Sequence, residues 1–171
     1  MTERIDIMKI IDRDMLENLT EAARVNPRGR QNLNLHASYA DPCQRLLNAV
    51  EPGSYIRPHR HLTPPKPETF LALRGRLAVA VFQDYGEIEQ AVLLDAAAGP
   101  QGVDLPAGAW HAILALDPGA VFFEAKPGPY EPIPASDQAT WAPPEGSAEA
   151  VGYLEDLQKR ILTILKENSV S

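Results

Sequence analysis

Near the start of the chain the apolar positions recur at helical spacing: Met15, Leu16, Leu19, Ala22 and Ala23 fall on one stripe. Asp12 is placed to cap this segment, and Asp14 and Glu17 sit in its first turns, where carboxylates meet the exposed N–H groups. Asn26-Pro27 ends it, because a residue before proline avoids the helical region, and Arg28-Gly29-Arg30 reads as a turn. From Gln31 to Lys126 the period changes to two. Asn32, Asn34 and His36 share one face of a first strand, with Leu33, Leu35 and Ala37 on the other. Further strands are predicted over 43–50, 55–61, 68–74, 76–83, 87–94, 103–105, 109–116 and 120–125, divided by turns such as Glu51-Pro52-Gly53-Ser54, Asp84-Tyr85-Gly86 and Asp117-Pro118-Gly119. Many short strands without intervening helices predict an all-β sandwich or small barrel.

Beyond Lys126 the pattern changes twice. Residues 127–144 hold six prolines and predict an extended arm lying on the barrel. From Ser147 to about Asn168 an amphipathic helix is expected, with Val151, Leu154, Leu157, Ile161, Ile164 and Leu165 as its apolar stripe. That stripe requires cover, from the barrel or from a second subunit. The expected organisation is one domain: residues 1–30 as a helix and turn packed on the barrel, 31–126 as the barrel itself, and 127–171 as arm and helix.

Composition narrows the functional classes. The chain has 171 residues, 44% of them hydrophobic and 23% charged, which suits a soluble globular domain. Sixteen basic against 23 acidic residues give a net charge of −7, which argues against nucleic acid or an anionic membrane as partner. One cysteine excludes an internal disulfide and fits a reducing compartment; Cys43 is expected to be a small buried hydrophobe. The opening residues, Met1 to Lys9, mix charges with apolar side chains and show no secretory h-region, so a cytoplasmic chain is expected.

The chemistry concentrates at histidines. His59 and His61, two apart on an expected strand, point to the same face; Glu68 opens the next strand, and His111 follows the turn Pro106-Ala107-Gly108. Three imidazoles and one carboxylate suit a divalent Fe, Mn, Ni, Zn or Co ion and leave positions for water or substrate. His36 and Tyr130 are the candidate proton-moving groups beside such a centre, and Arg28, Arg30, Arg45 and Arg57 are candidate anion contacts or ordinary ion-paired residues. Arg60, of opposite parity to its histidine neighbours, is expected to point away. Trp141 is expected to anchor packing, and Phe70, Phe82 and Ile113 to supply apolar wall if the pocket binds a ligand without turnover.

At these residues the chain resembles the cupin superfamily. Gly53, His59, His61, Glu68 and Gly75 keep the G-x5-H-x-H and E-x6-G spacings of its first motif, and Pro106, Gly108 and His111 keep part of its second. Six residues separate His61 from Glu68 where the pattern has three or four, and Ala115 stands where the second motif ends in Asn. More narrowly, N-L-N-L-H (32–36), D-P-x-Q-R-L-L-N-A (41–49), the run from Arg57 to Phe70, and K-P-G-P-Y (126–130) are similar to the WbuC family of cupin-fold metalloproteins. The resemblance implies a cupin (double-stranded β-helix, jelly-roll) barrel with flanking N-terminal and C-terminal helices, and His59, His61, Glu68 and His111 as ligands of one divalent metal; a homodimer is expected as well. It also implies a small-molecule substrate, a sugar or nucleotide sugar of O-antigen-type surface-polysaccharide biosynthesis. The reaction expected is metal-assisted acid/base chemistry of the isomerase or epimerase type. A metal-dependent dioxygenase and a non-catalytic, metal-stabilised binding module are the alternatives.

Because protonated imidazole cannot ligate, metal occupancy is expected to fall as the pH drops below about 6. Metal analysis of dialysed protein between about pH 7 and about pH 5 checks this, and flat occupancy would count against three-histidine coordination.

Overall fold

The computed structural model describes residues 8–168; most of the opening segment on which the leader reading rests lies outside them. The first helix, α1 (Arg13–Val25), is capped as the sequence predicts: the Asp12 side chain accepts from the Met15 N–H at 2.9 Å. Eight strands follow: β1 (Arg30–Asn34), β2 (Cys43–Val50), β3 (Glu68–Arg74), β4 (Arg76–Phe82), β5 (Ile88–Asp95), β6 (Gly102–Leu105), β7 (Trp110–Ala115) and β8 (Ala120–Pro127). A single 3-10 turn at Ala135–Asp137 interrupts the proline-rich arm, and α2 (Ala150–Asn168) closes the described chain. The strands form two antiparallel sheets, ordered β1-β2-β8-β3-β6 and β5-β4-β7, and from β3 onward the chain passes back and forth between them as in a jelly roll.

Alternation along the strands sorts side chains into three layers. Between the sheets lie Val50, Phe70, Leu77, Val79, Leu94 and Phe122 with their neighbours. Outside β2 and β8, α1 packs Leu19 and Ala23 on Leu47, Ala49 and Val121. Outside the second sheet, α2 lays Leu154, Leu157 and Ile161 on Ala78, Ala80 and Leu114. Strand β4 is therefore covered on both faces, which is why its sequence, RLAVAVF, reads as a nearly unbroken apolar run. Gly75 makes the tight β3–β4 turn at φ +70°, and a Cβ there would meet Ala120 at 3.3 Å.

Several expectations need correction. Residues 55–61 are not a ladder strand; only His59 forms isolated bridges, to His111 and to Gln138. Pro58 cannot donate to a ladder, and the arm docks along the segment instead, with Ala139 N–H on the Pro58 carbonyl and Arg60 N–H on that of Asp137. Strand β1 stops at Asn34, before His36. Cys43 is exposed, because it starts β2 on the face opposite Gln44, which is 2% exposed. Val151 is 68% exposed, since the buried stripe runs back from Leu154 to Ala150; Ala22 likewise faces solvent beside the fully buried Ala23. Phe82 lies under α2 against Trp141, not in the barrel interior, because its parity is that of Ala78 and Ala80. The C-terminal stripe is covered by this chain's own barrel, so it requires no second subunit. Among the described residues no helix is long and apolar enough to cross a membrane.

The arm is clipped to the 55–63 segment by Asp137, which is 1% exposed. Its carboxylate accepts from the Leu62 and Thr63 N–H groups, both at 2.9 Å, and from Arg60 Nε at 3.2 Å. Burial alone would raise its pKa; those donors outweigh it and hold the carboxyl below its ordinary value. Asp137→Ala is expected to cost about 2–4 kcal/mol, because it strands two backbone donors and the Arg60 charge. Since the folded-state pKa is depressed, the difference from wild type should be complete at neutral pH and shrink as the pH falls below about 4. Denaturant titrations of both proteins at the two pH values check the size and the sign.

Candidate metal centre

Each of the four ligand candidates is delivered by a different local device. Glu68 opens β3 and faces inward with Phe70 and Ala72, while His111 faces inward from β7 with Ile113 and Ala115. His59 is locked to His111 by two backbone hydrogen bonds: the His59 N–H donates to the His111 carbonyl at 3.1 Å, and the His111 N–H returns to the His59 carbonyl at 2.9 Å. The His61 carbonyl accepts from the Lys66 N–H at 3.1 Å and from the Gly108 N–H at 3.0 Å, which ties the ligand hairpin to the Pro106-Ala107-Gly108 turn. Gly108 makes that turn at φ +82°. The six-residue spacer between His61 and Glu68 is taken up in the hairpin, and ligand atoms of His59, His61, Glu68 and His111 all lie within 4.8 Å of one another.

The rings are oriented as ligands. His59 Nδ1 lies 3.0 Å from the Arg57 carbonyl and His111 Nδ1 lies 2.9 Å from that of Ala109. A carbonyl only accepts, so each Nδ1 carries the hydrogen and the neutral ring presents a bare Nε2 lone pair. His111 Nε2 then stands 3.0 Å from Glu68 Oε2, and His61 Nε2 stands 3.2 Å from Glu68 Oε1. Glu68 Oε2 and His61 Nε2 are buried, and neither has a hydrogen bond of acceptable geometry. Lone pairs brought face to face in a buried site fit a cation among them, and three imidazoles with one carboxylate suit a first-row divalent ion. These residues could hold a metal.

Charges around the centre are strongly perturbed. His59 is driven down to about 3, first by burial and then by the His111 ring, so it stays neutral and ready to ligate well below pH 6. The acid loss of metal expected from the sequence therefore does not begin at this ring. Burial pushes the Glu68 carboxyl up, and the Lys126 ammonium beside it pulls the other way and favours the carboxylate. Lys126 Nζ lies 3.0 Å from Glu68 Oε1 and 2.6 Å from Glu124 Oε1. Burial disfavours the ammonium, yet Glu124 and Glu68 together raise its pKa. Burial raises that of Glu124, against the pull of Lys126.

A cavity of about 500 Å³ runs from these ligands across the inner face of the five-stranded sheet. His59, Glu68 and His111 line it, with Asn34, Gln44 and Asn48 further along. His36 also lines it: Nδ1 sits beside the Arg45 N–H (3.0 Å) and carbonyl (2.9 Å), and the buried Nε2 has no partner. His36 follows β1, three strand spacings from Glu68, or about 14 Å along the sheet. Tyr130, 49% exposed, borders the cavity with its ring centroid 4.9 Å from that of Tyr39.

Of the arginines, Arg28 and Arg30 border the cavity but are paired with Glu145 at 2.8 and 2.6 Å. Arg57 is spent on the Ala139 carbonyl, Arg60 turns away over the Trp110 ring, and Arg45 is exposed. Trp141 packs on Gly86, Phe82 and Trp110. Phe70 and Ile113 do line the cavity.

The sequence reading passed over Glu124, Lys126 and Asn48. Asn48 Nδ2 donates to Glu124 Oε2 at 2.8 Å, so Asn48, Glu124, Lys126 and Glu68 form one polar chain across β2, β8 and β3, with the two carboxylates buried. The signal was parity: Glu124 and Lys126 share the face of Ala120 and Phe122, and charge on the apolar face of a strand marks an inward group.

Comparison with known proteins agrees with this architecture. A family model described as a domain of unknown function, DUF6016, matches residues 11–94, which include His59, His61 and Glu68 but not His111. No curated protein matches. The fold is that of the cupins, a mostly antiparallel β barrel with two flanking helices. Among solved structures, TT1209 from Thermus thermophilus is 26% identical, with a TM-score of 0.50 over 70% of this chain and 97% of that one. KdgF from Halomonas sp. is 19% identical, with a TM-score of 0.48 over 63% of this chain and 85% of its own. The capsular polysaccharide assembling protein CapF from Staphylococcus aureus is 20% identical, with a TM-score of 0.48 over 63% of this chain but 30% of its own.

Proposed function

We propose that this chain is a metal-dependent cupin enzyme that acts on a sugar or nucleotide sugar of O-antigen-type surface-polysaccharide assembly by metal-assisted acid/base chemistry. The observation that carries the metal reading is the convergence of the bare Nε2 atoms of His59 and His111 with the unpartnered His61 Nε2 and Glu68 Oε2 within 4.8 Å of one another. Two features support a carbohydrate substrate. The cavity is walled by Asn32, Asn34, Gln44 and Asn48, whose amides donate and accept and so suit a polyhydroxylated ligand. The motifs shared with the WbuC family point the same way.

His59, His61, Glu68 and His111 would hold a divalent ion, which would supply Lewis-acid chemistry to a ligand oxygen or a bound water. The chain's own groups do the rest. His59 and His111, pinned through Nδ1, present fixed Nε2 atoms. His36 offers an unengaged Nε2 in the cavity wall, about 14 Å along the sheet from Glu68, where it can move a proton at a part of the ligand remote from the metal ligands. Tyr130 borders the cavity and supplies a second hydroxyl-bearing candidate for that transfer. The cavity's length lets a ligand contact His36 and the metal ligands at the same time, which a compact two-carbon molecule does not.

Elemental analysis of purified protein is expected to give about one equivalent of a first-row divalent metal. His61→Ala should lose most of it while circular dichroism keeps the β spectrum; metal content equal to wild type would remove the centre. Incubating the loaded protein with nucleotide sugars in D2O should exchange a sugar C–H for deuterium, read by NMR, and His36→Ala should slow the exchange by about 100-fold or more. Oxygen uptake on anaerobic Fe(II) loading and aeration, without exchange, would favour the dioxygenase instead.

A further inference from the structure

The half-buried Lys126 is not used by the chemistry above. Its ammonium has three donors. Two are taken, by Glu68 Oε1 at 3.0 Å and Glu124 Oε1 at 2.6 Å, and the third is unclaimed while the residue lines the cavity. Glu124 is fixed in turn by Asn48, so the ammonium is held from two sides and its free donor has a defined place. Such an arrangement is costly, since Glu68 and Glu124 are buried carboxylates and buried charge needs excellent pairing to offset desolvation. A core of ordinary apolar residues at Glu124 and Lys126 would fold at least as well, so the pair points to a role in binding.

Charge counting gives the sign of that role. Glu68, Glu124 and Lys126 sum to −1, and a divalent ion among the ligand candidates would bring the total to +1, positive charge that an anionic oxygen neutralises and a neutral hydroxyl does not. We propose that Lys126 is the ligand-recognising cation of this cavity, and that the ligand carries an acid group, set on a polyhydroxylated body, whose oxygen sits beside the metal and accepts from Lys126. This inference rests on the metal reading above and narrows its substrate class to acidic sugar derivatives.

The probes are D-gluconate and D-glucitol, which share a polyol chain and differ in the carboxylate. Isothermal titration of metal-loaded wild type is expected to show gluconate binding at least tenfold tighter than glucitol, with metal content after dialysis unchanged by either. Lys126→Met should keep the metal and lose that preference, and Lys126→Arg should retain most of it. Equal affinity of wild type for the two probes overturns the proposal, and so does a preference that survives in Lys126→Met. If Lys126→Met does not fold, the wild-type comparison and Lys126→Arg still decide, because loss of preference in the arginine variant with metal retained overturns it as well. Wild type that holds no metal would instead overturn the metal reading, and elemental analysis of the same samples separates the two failures.

Discussion

The reciprocal pair of backbone hydrogen bonds between His59 and His111 is the constraint on which the site depends. It joins an irregular segment to a regular strand at the very residues that carry two of the ligands. Because both bonds are made by main chain, the spacing of the two Cα atoms is independent of either imidazole. The rings then need only one further contact each, Nδ1 to a carbonyl two residues back, to be fixed in tautomer and direction. His61 and Glu68 are added on the other side by the hairpin whose carbonyl at His61 is tied to Gly108. Four ligands distant in sequence are thus placed by backbone, with little left to side-chain freedom.

The barrel interior is divided along its length. One part is a packed apolar core of Leu77, Val79, Leu94 and their neighbours; the other is a cavity whose wall mixes amides and charges with apolar groups such as Phe70 and Ile113. The division follows the strands: on β8, Ala120 lies in the core, Phe122 at the boundary, and Glu124 and Lys126 on the cavity; on β2, Val50 lies at the boundary, and Asn48 and Gln44 on the cavity. The apolar half supplies the stability that lets the other half keep buried charge. The two helices contribute by covering the outer faces of the sheets, and the arm contributes through Asp137, which holds the ligand segment against the barrel.

Much of this was legible from periodicity. Regular ladders report themselves through alternation, so most strands, the capped first helix and the cover helix appeared at nearly their observed limits, and the spacing of His59, His61, Glu68 and His111 singled out the four residues that converge. What was hidden had physical reasons. The 55–61 segment alternates like a strand but is paired with a loop-like arm, a long-range partner that local pattern does not encode. Phe82 and Val151 were misplaced because an apolar residue near the end of an element does not reveal which side is covered. Glu124 and Lys126 were overlooked because two charges near a strand end resemble a solvated terminus; only their parity with Phe122 marks them as interior.

The exposed Cys43 has a practical consequence. It sits opposite Pro127 at the start of β2, one ladder step from the Gln44–Lys126 pair, yet its side chain leaves from the outer face. As the chain's sole thiol, it offers a single attachment point for a fluorescent reporter, one peptide unit from the cavity wall and outside the cavity itself. A dye placed there would register occupancy of the barrel through the strand that carries both, without any change to the residues that touch a ligand.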